Sequence, residues 1–213
     1  MAPDDLFSAS TIEAEYQRLG HSLGWRLLTC PARNIATAKI ALITTNPGGR
    51  EPKPPLWALD TGSAYVDESW KCRPAGEERL QRQVRRMFEL MEIAPDEVLS
   101  GYLVPFRSRD WNSLPEKAPS LDFGMRIWRA ILERARPQIV IAFGKDIAVH
   151  VVSLLGATSK QQHKSGWGEQ TIDTFRFGSS GKLIVLPHLS RFALFNRPDS
   201  EGRFCEILNG SNI

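Results

Sequence analysis

The chain has 213 residues, of which 42% are hydrophobic and 24% are charged, and its formal net charge at pH 7 is +3. A chain of this length usually builds one hydrophobic core, so we expect a single domain over residues 1–213. No apolar run approaches the roughly 20 residues that cross a bilayer, which argues against a membrane protein and for a globular monomer. The net charge alone is too small to indicate a nucleic-acid partner.

The cysteines indicate neither disulfides nor a metal site. Cys30, Cys72 and Cys205 are far apart and form no Cys-X-X-Cys pair, so we expect free thiols and no metal, iron–sulfur or other cofactor. The segment from Met1 to Ser10 lacks the basic start and the apolar stretch of a secretory signal. We therefore expect a cytoplasmic protein.

The positive charge is unevenly distributed along the chain. Residues 71–86 contain two acidic side chains, Glu77 and Glu78, among the basic residues Lys71, Arg73, Arg79, Arg82, Arg85 and Arg86. A smaller basic pair follows at Arg107 and Arg109. This distribution is typical of a surface that faces phosphates, although a solvated helix face has the same composition.

The first third of the chain contains one helix and one strand signal. The spacing of apolar residues predicts a helix over Thr11–Leu28, as part of a helical cover formed by residues 1–37. The β-branched run from Lys39 to Thr45 predicts a buried parallel strand, and the turn residues 46–49 end it. From Arg50 to Pro74 no period persists, which predicts a long surface loop.

Strand and helix signals alternate through residues 38–196, the expected core. Strands are predicted over Leu99–Pro105, Gln138–Phe143 and Lys182–Pro187, with an edge hairpin over Thr171–Phe177; helices are predicted over Glu77–Glu92, Leu121–Ala135 and Lys145–Leu155. This order is typical of a parallel sheet covered by helices on both faces. We expect a three-layer α/β/α sandwich with a four-stranded, mainly parallel sheet.

Ligands of open α/β sheets bind beyond the carboxyl ends of the strands. In this chain those positions hold Asn46-Pro47-Gly48-Gly49, Pro105 to Trp111, Gly144-Lys145 and His188 to Phe192. They combine an amide that can position water, glycines that allow close backbone approach, arginines suited to phosphate and a histidine that can donate to a base. The sequence therefore places the candidate site at this edge.

These segments resemble the motifs of the uracil-DNA glycosylase superfamily. Residues 43–49, Ile-Thr-Thr-Asn-Pro-Gly-Gly, are similar to its first motif in the Asn-Pro-Gly form, and residues 187–192, Pro-His-Leu-Ser-Arg-Phe, resemble its second motif. Residues 103–107 and 139–144 are also similar to superfamily patterns. The resemblance implies a monofunctional DNA N-glycosylase that flips out and excises a base, with DNA as its partner.

The resemblance assigns two catalytic roles. Asn46 would hold the water that attacks C1′ of the sugar; because cleavage passes through a cation-like sugar, an uncharged amide suffices. His188 would donate to the oxygen of the departing base. Pro47, Gly48 and Gly49 would contact the substrate. Asn46 as a simple turn residue, and His188 as a structural histidine, are the alternatives.

The resemblance also implies contacts with DNA. Ser190 would bind a phosphate, and Arg191 and Phe192 stand where the family inserts a wedge into the base stack; Phe192 as a core residue is the alternative. The remaining DNA contacts are expected from Arg107, Arg109 and Lys145.

The residues around the expected base pocket favour a substrate other than uracil. Many relatives read uracil with an Asn at the position that Tyr102 occupies here. Phe106 and the loop aromatics Tyr65 and Trp70 would surround the base, although the loop aromatics could instead pack as an aromatic cover. The loop carboxylates Asp60, Asp67 and Glu68 could accept sugar hydroxyls. These features favour a bulky modified cytosine, such as the glucosylated 5-hydroxymethylcytosine of phage DNA, as in a phage-defence type of the superfamily.

Several other functions stay open on sequence grounds. The chain could be a uracil or mismatch glycosylase of base excision repair, or a DNA-binding module of the same fold without activity. A Ser190–His188 hydrolase is disfavoured, because two residues so close on one loop make poor nucleophile–base geometry and no Gly-X-Ser-X-Gly elbow is present. Lys145 and Lys164 show no feature of an activated amine nucleophile.

Overall fold

The computed structural model describes residues 7–210; residues 1–6, on which part of the signal-sequence argument rests, lie outside the described residues. The described chain forms a 6-stranded sheet with the order β2-β1-β3-β6-β5-β4. The strands are β1 Ile40–Thr44, β2 Leu99–Tyr102, β3 Ile139–Phe143, β4 Thr158–Lys164, β5 Thr171–Phe177 and β6 Gly181–Leu186. The helices are α1 Ala9–Arg18, α2 Asn34–Thr37, α3 Ala64–Asp67, α4 Arg79–Leu90, α5 Lys117–Ala135, α6 Lys145–Leu155 and α7 Pro198–Asn209.

The parallel half of the sheet consists of β2, β1, β3 and β6 in adjacent positions. Alternate residues of these strands face two separate hydrophobic cores, which explains why the strands have nearly continuous apolar sequences. Side chains of α1, α2, α5 and α6 form one core. Those of α3, α4 and α7 form the other. The three-layer α/β/α sandwich is thereby confirmed.

The strand count differs from the four that the sequence predicts. The additional strands are β4 and β5, which form an antiparallel hairpin on β6. Sequence patterns predict Thr171–Phe177 as an edge hairpin and a Gly-containing loop around residues 161–168. The loop prediction is wrong for residues 161–164, which belong to β4. This strand is outermost and almost entirely exposed, so its polar sequence has no alternation to signal a strand.

The N-terminal helix is shorter than the predicted Thr11–Leu28. It ends at Arg18, and Gly20 and Gly24 follow with positive φ angles, a conformation that other residues rarely adopt. The chain then runs extended beside β2, where the amide of Thr29 donates to the carbonyl of Ser100. The apolar residues that mimic a helical period here cover the edge of the sheet instead.

The long loop is partly anchored by this extended segment. The amides of Leu27 and Leu28 donate to the carbonyls of Leu56 and Trp57. Residues 50–74 are therefore not a free surface loop throughout. The short helix α3 lies within the loop and buries Ala64 and Tyr65.

The central helices agree well with prediction. Helix α6 has the predicted bounds, and α4 begins two residues later than expected, because Glu78 and Gln81 form a capping box at its start. Helix α5 begins at Lys117, four residues before the predicted start. No helix within residues 7–210 is long and apolar enough to cross a bilayer.

Helix α5 approaches the sheet closely at one glycine. A Cβ atom added to Gly124 would lie 2.1 Å from the carbonyl oxygen of Leu103, which is backbone and has little freedom to move. The side chain of Trp128, one turn later, donates to the carbonyl of Tyr102 at 2.7 Å. The close contact between α5 and the residues after β2 thus depends on having a glycine at position 124.

We expect Gly124→Ala to destabilise the fold by about 1–3 kcal/mol, because the added methyl group overpacks this contact. Thermal unfolding of the purified variant would measure the change. The control is Gly202→Ala in α7, where an added Cβ meets nothing within 4 Å; it should be neutral or stabilising by up to about 1 kcal/mol. Equal midpoints for the two variants would contradict the close packing of α5.

Candidate active site

The loops that follow the parallel strands meet at one edge of the sheet. Asn46 lies two residues beyond β1 and His188 two residues beyond β6. Both strands flank β3, so the strand axes that carry these residues are about 10 Å apart. Gly144, at the end of β3, has a positive φ, and a Cβ atom there would lie 3.6 Å from the His188 ring. The space between the two candidate catalytic residues is thus bordered by a glycine.

The side chain of Asn46 is buried and held in one orientation. Its Nδ2 donates to the hydroxyl of Ser108 at 2.8 Å and to the carbonyls of Phe106 at 3.2 Å and Pro47 at 3.3 Å. These acceptors fix the amide nitrogen and leave Oδ1 without a hydrogen-bond donor in the described chain. Oδ1 is therefore available to accept a hydrogen bond from a water molecule.

The ring of His188 is held through Nδ1 by Ser190. The backbone amide of Ser190 donates to Nδ1 at 3.3 Å, and the Ser190 hydroxyl lies 2.8 Å from the same atom. Because a backbone amide can only donate, Nδ1 is unprotonated and the ring proton is on Nε2. Nε2 can then donate to a substrate oxygen.

The electrostatic surroundings keep His188 neutral. Burial, and next the positive charge of Arg191, lower the pKa of His188 below 6.5, against a smaller opposing effect of Asp146. The ring consequently stays neutral at pH 7. Since the unfolded chain takes up this proton at a higher pH than the folded one, the contribution to stability is present above pH 6.5 and falls as the pH drops toward the folded pKa.

The turn after β1 is tied to the segment after β2. The amide of Gly49 donates to the carbonyl of Ser108, and the Ser108 amide donates to the carbonyl of Pro47. Arg107 donates through Nη1 to the carbonyl of Gly48 at 2.5 Å. Its Nε is buried without a hydrogen-bond partner among residues 7–210. Arg107 thus lies against the turn that carries Asn46.

The aromatic residues that were expected to contact the base lie in different hydrophobic cores. Phe106 is fully buried, with its ring stacked on Phe123 at 5.6 Å, so only its backbone reaches Asn46. Tyr65 is 1% exposed and packs edge-on against Trp70 and Phe88. Trp70 is half-buried. Neither Phe106 nor Tyr65 presents a ring face to solvent at this edge.

A partly buried ion pair lies beside Tyr102. Arg26 donates to both carboxylate oxygens of Glu68, at 2.7 and 2.8 Å. Burial raises the pKa of the half-buried Tyr102 phenol, which interacts with the charges of Arg26 and Arg107. Sequence patterns do not single out Arg26, because it stands in a stretch whose apolar spacing predicts a helix. They offer Glu68 only as one of three loop carboxylates.

The residues after His188 form an aromatic and basic surface. The ring of Phe192 is half-buried and packs edge-on against Trp167 at 5.2 Å, and the guanidinium of Arg197 lies over Trp167. Trp167 comes from the loop between β4 and β5, which sequence patterns did not connect with this site. Arg191 is exposed beside it.

The other predicted DNA contacts lie at the same edge or near it. Ser190 is half-buried through its contact with His188. Lys145 is exposed at the start of α6 and donates to the Thr171 hydroxyl at 2.8 Å. Arg109 is exposed and lies 3.7 Å from the carboxylate of Asp110.

The basic segment of residues 71–86 is only partly available to a ligand. Three of its six cations form ion pairs: Lys71 with Glu78, Arg85 with Glu77, and Arg86 with Glu89 and Glu201. Arg79 and Arg82 are exposed on α4 and have no carboxylate partner within residues 7–210. Arg79 donates to the carbonyl of Arg191 at 3.0 Å. This contact joins the basic helix to the loop that carries His188.

The family of the chain follows from its sequence match. The family model for the uracil DNA glycosylase superfamily matches residues 31–209, and the chain belongs to this superfamily. The superfamily consists of DNA-acting glycosylases. A search of curated proteins finds no match to the chain. No cluster of potential metal ligands is present among residues 7–210.

We expect ¹⁵N NMR of histidine-labelled protein to show His188 as the Nε2–H tautomer, titrating below pH 6.5. Arg191→Ala should raise this pKa, because it removes a nearby positive charge. The control is Arg203→Ala, which removes an exposed arginine that pairs with Glu206 within α7. A protonated Nδ1 at pH 7, or equal shifts in both variants, would contradict the described surroundings of His188.

Proposed function

We propose that the chain is a monofunctional DNA glycosylase that flips out and excises a modified pyrimidine larger than uracil, with glucosylated 5-hydroxymethylcytosine as first candidate. The observation that carries the proposal is that a fixed amide and a neutral imidazole lie on either side of the end of β3. Asn46 offers an acceptor, and His188 offers a donor. We further propose a monomeric, cytoplasmic protein that needs no cofactor.

In this mechanism the base leaves before the bond between C1′ and the attacking water is complete. The C1′–N bond breaks with its electron pair passing to the base, and Nε2–H of His188 stabilises the charge that grows on the base oxygen. The sugar becomes cation-like and is attacked by the water that Oδ1 of Asn46 holds. Asn46 is not a base, so the water proton passes to solvent after the C1′–O bond forms.

The surroundings of Tyr102 support a substrate other than uracil. An amide at this position would offer a donor and an acceptor together, as uracil reading requires. Tyr102 offers a phenol, and burial raises its pKa, so that it remains protonated. Its neighbours are the charged groups of Arg26, Glu68 and Arg107. A uracil glycosylase of base excision repair is the competing assignment.

Two other functions have less support. Ser190 lies 2.8 Å from Nδ1 of His188, so the expectation of poor Ser–His geometry is wrong as regards distance. A backbone amide also occupies that nitrogen, however, which is typical of a local turn and not of a nucleophile–base pair. The Lys145 amine is exposed and lacks the desolvation that activates a nucleophilic lysine.

The experiment that tests the function is mass spectrometry of free bases released from unmodified, uracil-containing and glucosylated phage DNA. We expect release of the glucosylated base and weak or no release of uracil. Asn46→Ala should slow release by roughly 100- to 1000-fold with DNA affinity nearly unchanged, because water positioning acts mainly in the transition state. His188→Ala should also slow release more than binding.

Asn112→Ala, a change of an exposed asparagine, is the matched control and should leave release unchanged. Strong uracil release with none from phage DNA would restore the repair assignment. Binding without release of any base would favour a DNA-binding module without activity.

DNA affinity should fall steeply with salt, since phosphate contacts release counterions. We expect Arg82→Glu to weaken binding about tenfold at low salt and to flatten the salt dependence. Arg129→Glu is the matched control, because Arg129 is equally exposed but lies on α5, which packs on the other face of the sheet. Equal effects of the two variants would exclude α4 from the DNA interface.

A further inference from the structure

Glu68 is a carboxylate held rigidly at the edge of the sheet. Both of its oxygens accept from Arg26, and Oε2 also accepts from the indole nitrogen of Trp70 at 2.8 Å. Its backbone carbonyl accepts from the side chain of Gln81 at 2.7 Å. Main chain and side chain are thus both fixed, although the residue belongs to the long loop.

The carboxylate keeps one acceptor position toward solvent. An ionised carboxylate has about four acceptor positions, and Oε1 uses one of its two for Arg26. The side chain of Glu68 is 28% exposed, whereas that of Arg26 is 10% exposed. Arg26 therefore orients Glu68 from the protein interior, and one acceptor position of Oε1 has no donor within residues 7–210.

The other loop carboxylates are placed differently. Asp67 turns back to accept from the amide of Ser63 at 2.7 Å, and Asp60 is exposed. Glu68 is bound to Arg26, whose backbone amide donates to the carbonyl of Pro105. The next residues of that segment, Phe106 and Ser108, hold the amide of Asn46. A base whose sugar lies at Asn46 would therefore extend toward Glu68.

We propose that Glu68 reads position 4 of the flipped pyrimidine by accepting a hydrogen bond from an exocyclic amino group. The site would then take cytosine-type bases and reject uracil-type ones. This inference rests on the proposed function and deepens it, because it names the base class without using the size of the modification. Arg26 is a positioning residue for the carboxylate.

The chemistry of the two base classes explains the discrimination. Position 4 lies opposite N1, the atom bonded to the sugar, so it is the part of the ring that reaches furthest from Asn46. Cytosine carries an amino group there, which a carboxylate accepts from; uracil carries a carbonyl oxygen, which a carboxylate repels. A fixed carboxylate cannot rotate to present a donor, so the mismatch leaves a partly buried charge unpaired.

The test measures binding, so that it does not depend on base release. The probes are DNA duplexes with one 2′-fluorinated nucleotide, which resists cleavage, carrying 5-hydroxymethylcytosine or 5-hydroxymethyluracil opposite an abasic site. We expect roughly 10- to 100-fold tighter binding of the cytosine probe. Equal binding, or tighter binding of the uracil probe, overturns the assignment of Glu68.

The variant Glu68→Gln supplies a second measurement. A glutamine can donate to a carbonyl oxygen, so the preference should disappear or reverse, with the thermal midpoint recorded to confirm folding. Glu77→Gln is the matched control, because Glu77 also pairs with an arginine, Arg85, on the exposed surface. This variant should prefer the cytosine probe over the uracil probe as strongly as the wild type does. An unchanged preference in folded Glu68→Gln overturns the inference.

The unfluorinated probes separate this inference from the proposed function. If the wild-type protein prefers the cytosine probe but releases no base from the unfluorinated DNA, Glu68 is supported as a base reader and the glycosylase assignment fails. If it releases both bases at equal rates, the glycosylase assignment is supported and the Glu68 inference is overturned.

Discussion

The parallel pairing of β1, β3 and β6 is the constraint on which the candidate site depends. Asn46 and His188 are separated by most of the chain, and neither contacts the other in the described structure. Parallel pairing places the carboxyl ends of both strands at one edge, with β3 between them. The distance between amide and imidazole is therefore set by strand spacing, and the two cores that cover the sheet keep that spacing rigid.

Both candidate catalytic groups are uncharged in the resting protein. The amide of Asn46 does not ionise and is oriented by acceptors around its nitrogen, whereas burial and the charge of Arg191 lower the pKa of His188 and Ser190 fixes its tautomer. This arrangement suits a reaction in which charge develops on the sugar and on the base only in the transition state. Preoriented dipoles can stabilise that charge without the cost of burying an ion in the resting protein.

Charge is buried instead beside Tyr102, in the ion pair of Arg26 and Glu68. Removing one partner of such a pair typically costs about 3–5 kcal/mol, although the pair itself contributes little to stability. Two neighbouring features stabilise it: the backbone carbonyl of Leu28 accepts from Nε of Arg26, and Trp70 donates to Glu68. The pair joins the extended N-terminal segment to the long loop.

The sequence by itself determined the parallel strands, the helices α4 and α6, and the position of Asn46 and His188 after strands. These features are local, because continuous apolar runs indicate buried strands and three- to four-residue apolar periods indicate helices with one buried face. Only the tertiary structure showed that β4 is a strand, because its polar residues are exposed at the sheet edge. It also showed that residues 25–30 are extended, although the spacing of their apolar residues predicts a helix. It also decided which loop carboxylate is held by a buried arginine, because Glu68 is oriented by Arg26, 42 positions away in sequence, and no local pattern encodes a contact at that separation.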